Sequence, residues 1–427
     1  MNCEELTEAI RLGRLDEALV TLYGNNDAAI KAQKERYAQA VRSFGTLYPG
    51  SEDISIFSAP GRTEVCGNHT DHQHGCVLAA AVDLDAIAIV SFHDEHVIRL
   101  QSVGYEQEHI ELDHLNMHPE EKGTSNALVR GMVSQFHDMG VEVGGFNAYI
   151  TSNVLSGSGL SSSAAFEVLI GTIIDRHYNG GEAGAVKIAK MGQFAENKYF
   201  GKESGLMDQM VSSVGGFVFI DFEDTTNPVI EKHDFDFEKG GLKLIITDTK
   251  GSHADLTDDY VSVPSEMKLV AAQFGKTVLR EVGVEQFYQA LPHLRTVCSD
   301  RAILRAAHFF GDNARVQEEV TALEKKDFPA FLKLVCESGR SSAELLQNLY
   351  STKKPIEQGV PLALMVSKRL LQDQGAFRVH GGGFAGTIQA FVPLGLVEEY
   401  KKTMEELFGE SCCYILNIRP EGGYQVI

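Results

Sequence analysis

Apolar residues recur at helical spacing near the start of the chain, where Leu6, Ile10, Leu15, Leu19 and Tyr23 stand on a polar background between Cys3 and Tyr48. The spacing predicts two helices joined near Gly24-Asn25-Asn26, a cluster of turn formers. The period then shortens. Residues 54–59 read as a strand ending in a Pro60-Gly61 turn, and 82–92 and 146–150 read as further strands. A Gly/Ser-rich stretch, 156–163, runs straight into a strong helical pattern from Ala164 to Tyr178, and a second helix is predicted at about 183–200. Beyond Gly205, residues 217–222 and 242–247 read as strands and long helical patterns fill 261–371. Residues 377–393 read as a strand, a glycine turn, then helix or strand. A helix at 396–408 and short strands at 412–418 and 424–427 close the chain. Strands and helices mix without regular βαβ alternation, so the expected fold class is α+β.

Length sharpens this picture. With 427 residues, 43% of them hydrophobic, the chain exceeds one comfortable core, and two lobes with a boundary near residue 205 are expected. Charge narrows the partners. Lys and Arg number 38 against 59 Asp and Glu, a formal charge of -21, which disfavours nucleic acid and anionic lipid as partners. The seven cysteines are scattered, without a CxxC pair, as in reduced cytoplasmic proteins. The first twenty residues carry no apolar signal core. The apolar run at 77–92 is broken by Asp83 and Asp85, so no membrane span is predicted.

Four segments carry candidate chemistry. The run Ser156-Gly157-Ser158-Gly159-Leu160-Ser161-Ser162-Ser163-Ala164 opens a helix, where small residues let backbone N–H groups approach an anion and the helix end adds partial positive charge. A phosphate site and a plain capped linker both fit it. Gly275-Lys276-Thr277 imitates the end of a Walker A loop, but Val270 stands where its first glycine belongs. The segment 61–75 is dense in hydrogen-bonding side chains suited to several hydroxyl groups. His69, Asp71, His72 and His74 also admit a zinc reading, though at no common zinc spacing. Gly381-Gly382-Gly383 implies close approach of a ligand or another backbone. Asp208 stands among Leu206, Met207, Met210 and Val211, and a carboxylate on an apolar stretch needs a partner or a task.

Taken in order, these segments resemble the GHMP kinase superfamily and, within it, the galactokinases. Gly61-Arg62 through Asp71 is similar to the signature G-R-x-N-x-I-G-E-H-T-D-Y, Gly159 to Ala164 to the family's phosphate loop, and Gly205-Leu206-Met207-Asp208-Gln209 to G-I-M-D-Q. Gly381 to Gly386 matches the family's late glycine motif, and the resemblance spans roughly residues 50 to 427. It implies a two-lobed fold, with a ribosomal protein S5 domain 2-like N-terminal lobe, a C-terminal lobe containing a ferredoxin-like unit, and the active site in the cleft. Residues 1–50 would form a helical extension, 51–205 with about 413–427 the N-terminal lobe, and 206–412 the C-terminal lobe. The implied activity is ATP-dependent phosphorylation of galactose at its anomeric hydroxyl by a cytoplasmic monomer or dimer. By position, Asp208 matches the catalytic base and Arg62 its cationic neighbour. Residues 156–164 match the ATP loop, and Ser163 and Glu196 the Mg²⁺ ligands. Asn68, His69, Asp71 and Tyr260, together with Arg62 and Asp208, match sugar contacts.

Departures from the signature bear on the substrate. Asn68 replaces a glutamate, His72 a tyrosine, and Glu64-Val65-Cys66 the N-x-I triplet. Loss of a negative charge at Asn68 would admit a carboxylated sugar, and His72-Gln73 is similar to plant galacturonate kinases. A related-sugar kinase and a non-catalytic sugar sensor are therefore the alternatives.

Overall fold

The computed structural model describes residues 1–154, 159–202, 204–233, 235, 237–251 and 256–427. The strands in chain order are β1 (Ser55–Cys66), β2 (Cys76–His93), β3 (Val97–Ser102), β4 (Glu108–Glu111), β5 (Gly145–Ser152), β6 (Phe217–Asp221), β7 (Val229–His233), β8 (Leu242–Asp248), β9 (Ala376–Val379), β10 (Thr387–Pro393), β11 (Cys413–Leu416) and β12 (Tyr424–Gln425). The first sheet has the order β12-β1-β2-β5-β3-β4, with β6 on β2 and β7 on β6. The second has the order β11-β8-β10-β9. The β3–β5 pair is parallel and the other named pairs are antiparallel.

Strand membership differs from the expected division in two places. β6 and β7 still belong to the first sheet, so the expected boundary near 205 falls ahead of two of its strands. β11 joins the second sheet by pairing with β8, and only β12 returns to the first, on β1. The length of β2 explains the former. Residues 86–93 pair with β5, and residues 76–80 extend beyond it and take β6 as partner.

β1 also runs through the expected Pro60-Gly61 turn. The register shifts between Pro60 and Arg62, where Gly61 alone stands against residues 82–84 of β2, and the ladder tolerates the missing proline donor at this bulge. A Cβ at Gly61 would fall 2.8 Å from the Leu160 carbonyl oxygen, so glycine there lets the Gly/Ser loop lie against β1.

The N-terminal segment forms three helices rather than two, Cys3–Arg11, Asp16–Tyr23 and Asp27–Leu47. Asn2 and Glu5 close a capping box on the first. Leu6, Ile10, Leu19, Tyr37, Val41 and Phe44 are buried against Ile56, Ile87 and Ile89 of β1 and β2. This extension covers one face of the first sheet, and each such buried side chain contributes about 1.5–3 kcal/mol. The helices Ser125–Asp138, Ser162–Tyr178 and Gly184–Phe194 pack around Ala88, Val90, Ile98, Phe146 and Ala148. Helix Ser162–Tyr178 is buried along most of its circumference, as its nearly continuous apolar sequence requires.

β8 and β10 alternate as strands covered on both faces. Leu244, Ile246 and Phe391 meet helices Asp300–Glu324 and Phe328–Ser341, while Ile245, Ile388 and Ala390 meet Gly359–Leu371 and Val397–Phe408. The core under Leu244 and Ile246 also takes in Val65, Leu78 and Ala80, so it is continuous between the two sheets. The predicted helical stretch 261–371 divides into six α-helices, with a 3-10 turn at Leu279–Glu281 and a π-helical turn at Ser342–Leu346. The helix expected at about 183–200 ends in a wider π-helical turn, Ala195–Phe200. All seven cysteines are free thiols, and no helix among the described residues is long and apolar enough to cross a membrane.

Candidate active site

The Asp208 helix, Met207–Val214, starts beside the bulge of β1. Arg62 Nε donates to Asp208 Oδ1 at 2.7 Å, and Arg62 Nη1 donates to the Gly159 carbonyl oxygen. Its backbone N–H donates to Leu160 O at 3.0 Å. One arginine thus ties the Gly/Ser loop to the aspartate. Ser161 donates its hydroxyl to Asp208 Oδ2. Ser161 also occupies the N-cap of helix Ser162–Tyr178 in a left-handed conformation, φ 57°, and its side chain makes no capping bond. The first-turn N–H groups are therefore left for another acceptor. Burial alone would push the Asp208 carboxyl up. The charge and hydrogen bond of Arg62, with Ser161 and Lys202 behind them, outweigh burial and hold it below the usual carboxylate range. Arg62 is 8% exposed and Asp208 31%, so the carboxylate keeps an open side.

Glu196, in the π-helical turn, is buried and meets Ser163 Oγ at 3.2 Å. Lys202 Nζ stands 2.7 Å from Glu196 Oε1, so this carboxylate already holds a cation. One carboxylate and one hydroxyl beside a phosphate-type loop fit Mg²⁺, which completes its shell with water and substrate phosphate oxygens. Leu160 and Ala164 are fully buried, so neither offers a side chain to a ligand. Ser162 is partly exposed at the helix start. Ser156, Gly157 and Ser158, expected in the ATP loop, lie outside the described residues.

The other sugar-site candidates separate. His69 adopts φ 60° and its Nε2–H donates to the Gly382 carbonyl at 3.0 Å, the tautomer following from the acceptor. Burial, reinforced by His72, lowers its imidazole to about 4, so the ring is neutral near pH 7. Asp71 begins a short 3-10 turn, its carboxylate against Gly205 and within the field of Arg62. Tyr260 OH donates to Gly383 O at 3.0 Å, and a Cβ at Gly382 would fall 2.6 Å from the tyrosine ring, so the glycine triplet is the bed for that ring. Among the described residues no three His, Cys, Asp or Glu side chains converge as a metal site, so His69, Asp71, His72 and His74 form no zinc centre. The Walker-like Thr277 directs its N–H and hydroxyl to Glu281 at 3.0 and 3.1 Å, an internal turn.

Asn68 is turned inward and fully buried. Its Nδ2 donates to Glu64 Oε1 at 2.9 Å and Gly381 O at 2.8 Å. Its Oδ1 accepts from Asn348 Nδ2 at 2.8 Å and Ser342 Oγ at 3.3 Å. Every hydrogen-bonding position of the amide is used within the protein. The expected loss of negative charge does not occur either. The signature's amide and acid are exchanged here, Glu64 standing where it has asparagine and Asn68 where it has glutamate. The Glu64 carboxylate, 3.1 Å from Arg378, keeps an acid in this cluster. Asn68, with its amide fully engaged, therefore gives no reason to expect a carboxylated sugar.

A family model described as the galactokinase galactose-binding signature matches residues 42–92, and one for the GHMP kinase N-terminal domain matches 127–216. A galactokinase of Streptomyces coelicolor is 30% identical over 369 residues, 86% of this chain and 91% of that protein. The chain belongs to the galactokinase family. Among solved structures, Lactococcus lactis galactokinase complexed with galactose superposes with a TM-score of 0.78 at 21% identity, over 91% of this chain and all of that one. Methanococcus jannaschii mevalonate kinase gives 0.60 at 18%, over 87% and 99%, so the two-lobed GHMP fold is shared more widely than the galactokinase family.

Several residues around the galactokinase-family motifs escaped sequence reasoning. Gln209 Nε2 donates to both Glu167 Oε2 and Glu196 Oε2 at 2.9 Å, and Ser204 Oγ donates to Glu196 at 2.5 Å. The buried Glu167 carboxyl is pushed well up, first by burial and then by Glu196. Gln209 had a signal as the last letter of its motif. Lys202 had none, since a single lysine in a polar segment looks like surface. His380 links Thr63 and Thr387 at 3.0 Å each, next to Gly159.

Proposed function

We propose that this protein transfers the γ-phosphoryl group of ATP to the anomeric hydroxyl of galactose. The observation that carries this reading is the Arg62–Asp208–Ser161 cluster, an ionised and partly open carboxylate joined to the phosphate-type loop. Asp208 accepts the proton of the sugar hydroxyl as the oxygen attacks. Phosphoryl transfer runs through a loose transition state, so a carboxylate of low basicity suffices if it is positioned and charged. Arg62 keeps Asp208 ionised and stabilises charge on the transferring group. The N–H groups at the start of helix Ser162–Tyr178 receive phosphate oxygens. Asp71 and His69 Nδ1 offer acceptors to sugar hydroxyls, and Tyr260 shapes the wall that the glycine triplet forms. Ser163 and Glu196 would hold Mg²⁺, whose charge neutralises the triphosphate. Asn68 acts from behind, fixing the carbonyl of Gly381 and the loop that carries His69.

A coupled ADP-release assay with ATP, Mg²⁺ and galactose, galacturonate or no sugar tests the proposal. Galactose-dependent release with little response to galacturonate is expected. Release with galacturonate alone would move the substrate, and release with neither would overturn the kinase reading for both sugars.

A further inference from the structure

Glu196 is held by more donors than a waiting metal ligand needs. Ser163 and Lys202 reach Oε1, and Ser204 and Gln209 reach Oε2. The local backbone is built to bring Lys202 there. The π-helical turn Ala195–Phe200 ends at Gly201 with φ 84°, and the N–H groups of Gly201 and Lys202 both return to the Glu196 carbonyl, at 2.9 and 3.1 Å. A side chain at Gly201 would be strained at that φ and would meet the stem of Lys122, so the reversal needs glycine. The Lys202 side chain is 56% exposed and Glu196 only 3%, so the ammonium is the movable partner of a fixed carboxylate. Its charge is felt at Asp208 and Glu167 as well.

We propose that Lys202 is a placeholder cation, which holds Glu196 in its ligating position when nucleotide is absent and must leave Oε1 for a divalent ion to bind. The inference rests on the reading of Glu196 as a metal ligand. It makes Lys202 a positioning residue with a measurable cost. A fixed carboxylate pre-paired with an ammonium is ready in shape, and the incoming ion competes with that ammonium for one oxygen.

The test is Mn²⁺ binding to the full chain with a non-hydrolysable ATP analogue, read from the electron paramagnetic resonance signal of free Mn²⁺. Lys202→Met and Lys202→Gln, two neutral changes of similar reach, are expected to tighten Mn²⁺ by about three- to tenfold, the scale of one partly exposed ion pair. Lys202→Arg should bind as the unaltered chain does. Unchanged or weaker binding in both neutral variants overturns the proposal. Glu196→Gln separates the two readings. If it weakens Mn²⁺ but the neutral Lys202 variants do not tighten it, only the placeholder fails. If Glu196→Gln leaves the affinity unchanged, Glu196 is no ligand and both readings fall.

Discussion

Asp85 and Asp208 each lie beside arginine and under a serine hydroxyl, yet Asp85 is fully enclosed while the Asp208 side chain is 31% exposed. Asp85 takes Arg36 at 2.6 Å on one oxygen, and on the other Tyr23 at 2.6 Å, Arg419 at 3.0 Å and Ser58. Burial would raise its pKa, and Arg36 and Arg419 together hold it low, as Arg62 does for Asp208. The same physical device gives two outcomes. Where protein donors crowd the carboxylate, it joins the N-terminal helices, the first sheet and the chain end. Where one side is open, it can still meet a group from outside the protein, as the proposed base must. Enclosure, more than charge pairing, separates the two carboxylates.

The largest stability effect should come from Asp85→Asn, which leaves Arg36 and Arg419 buried without their counter-charge. A loss of about 3–5 kcal/mol in unfolding free energy is expected from denaturant titration. Turnover per folded molecule should stay near normal. A rate collapse without a stability loss would break the comparison.

A smaller effect should come from His69, which lies between the two regimes, buried yet two residues from the partly exposed Asp71. Its folded pKa of about 4 lies below the unfolded value of 6.5. The unfolded chain therefore takes up a proton that the folded chain refuses, and stability is lost as pH falls from about 6.5 towards about 4. Buried carboxyls such as Glu167, whose pKa is raised, act in the opposite sense, so the difference between variants is the useful quantity. Between pH 7 and 5, His69→Asn should lose about 2 kcal/mol less than the unaltered chain. Parallel pH dependences in the two proteins would show that His69 is not held neutral.

The legible parts of the molecule were those written in local pattern. Helix Ser162–Tyr178, the strands at 82–92 and 146–150, and the four ordered motifs could be read because burial and ligand approach leave residue types at fixed spacing. Pro60-Gly61 was misread because a bulge accommodates what an isolated segment can satisfy only by turning. β3, β4 and β7 lacked a signal because they are short and the last two are largely exposed. The inward turn of Asn68 was illegible for a different reason. Its partners Asn348 and Gly381 are 280 and 313 residues away. Only the exchange of acid and amide between positions 64 and 68 hinted that the two act as a pair.

The measurement that tests this account most directly is galactose-dependent turnover of Asp208→Asn, with its unfolding free energy taken on the same sample. The amide keeps the size of the carboxylate and can still meet Ser161, but it cannot accept the sugar's proton. The account predicts a fall in kcat of at least about a thousandfold, with nucleotide still bound and a stability loss clearly smaller than that of Asp85→Asn, because one arginine rather than two loses its partner and the site stays open to water. A near-normal kcat, or a stability loss as large as that of Asp85→Asn, would place Asp208 among the structural aspartates and contradict it.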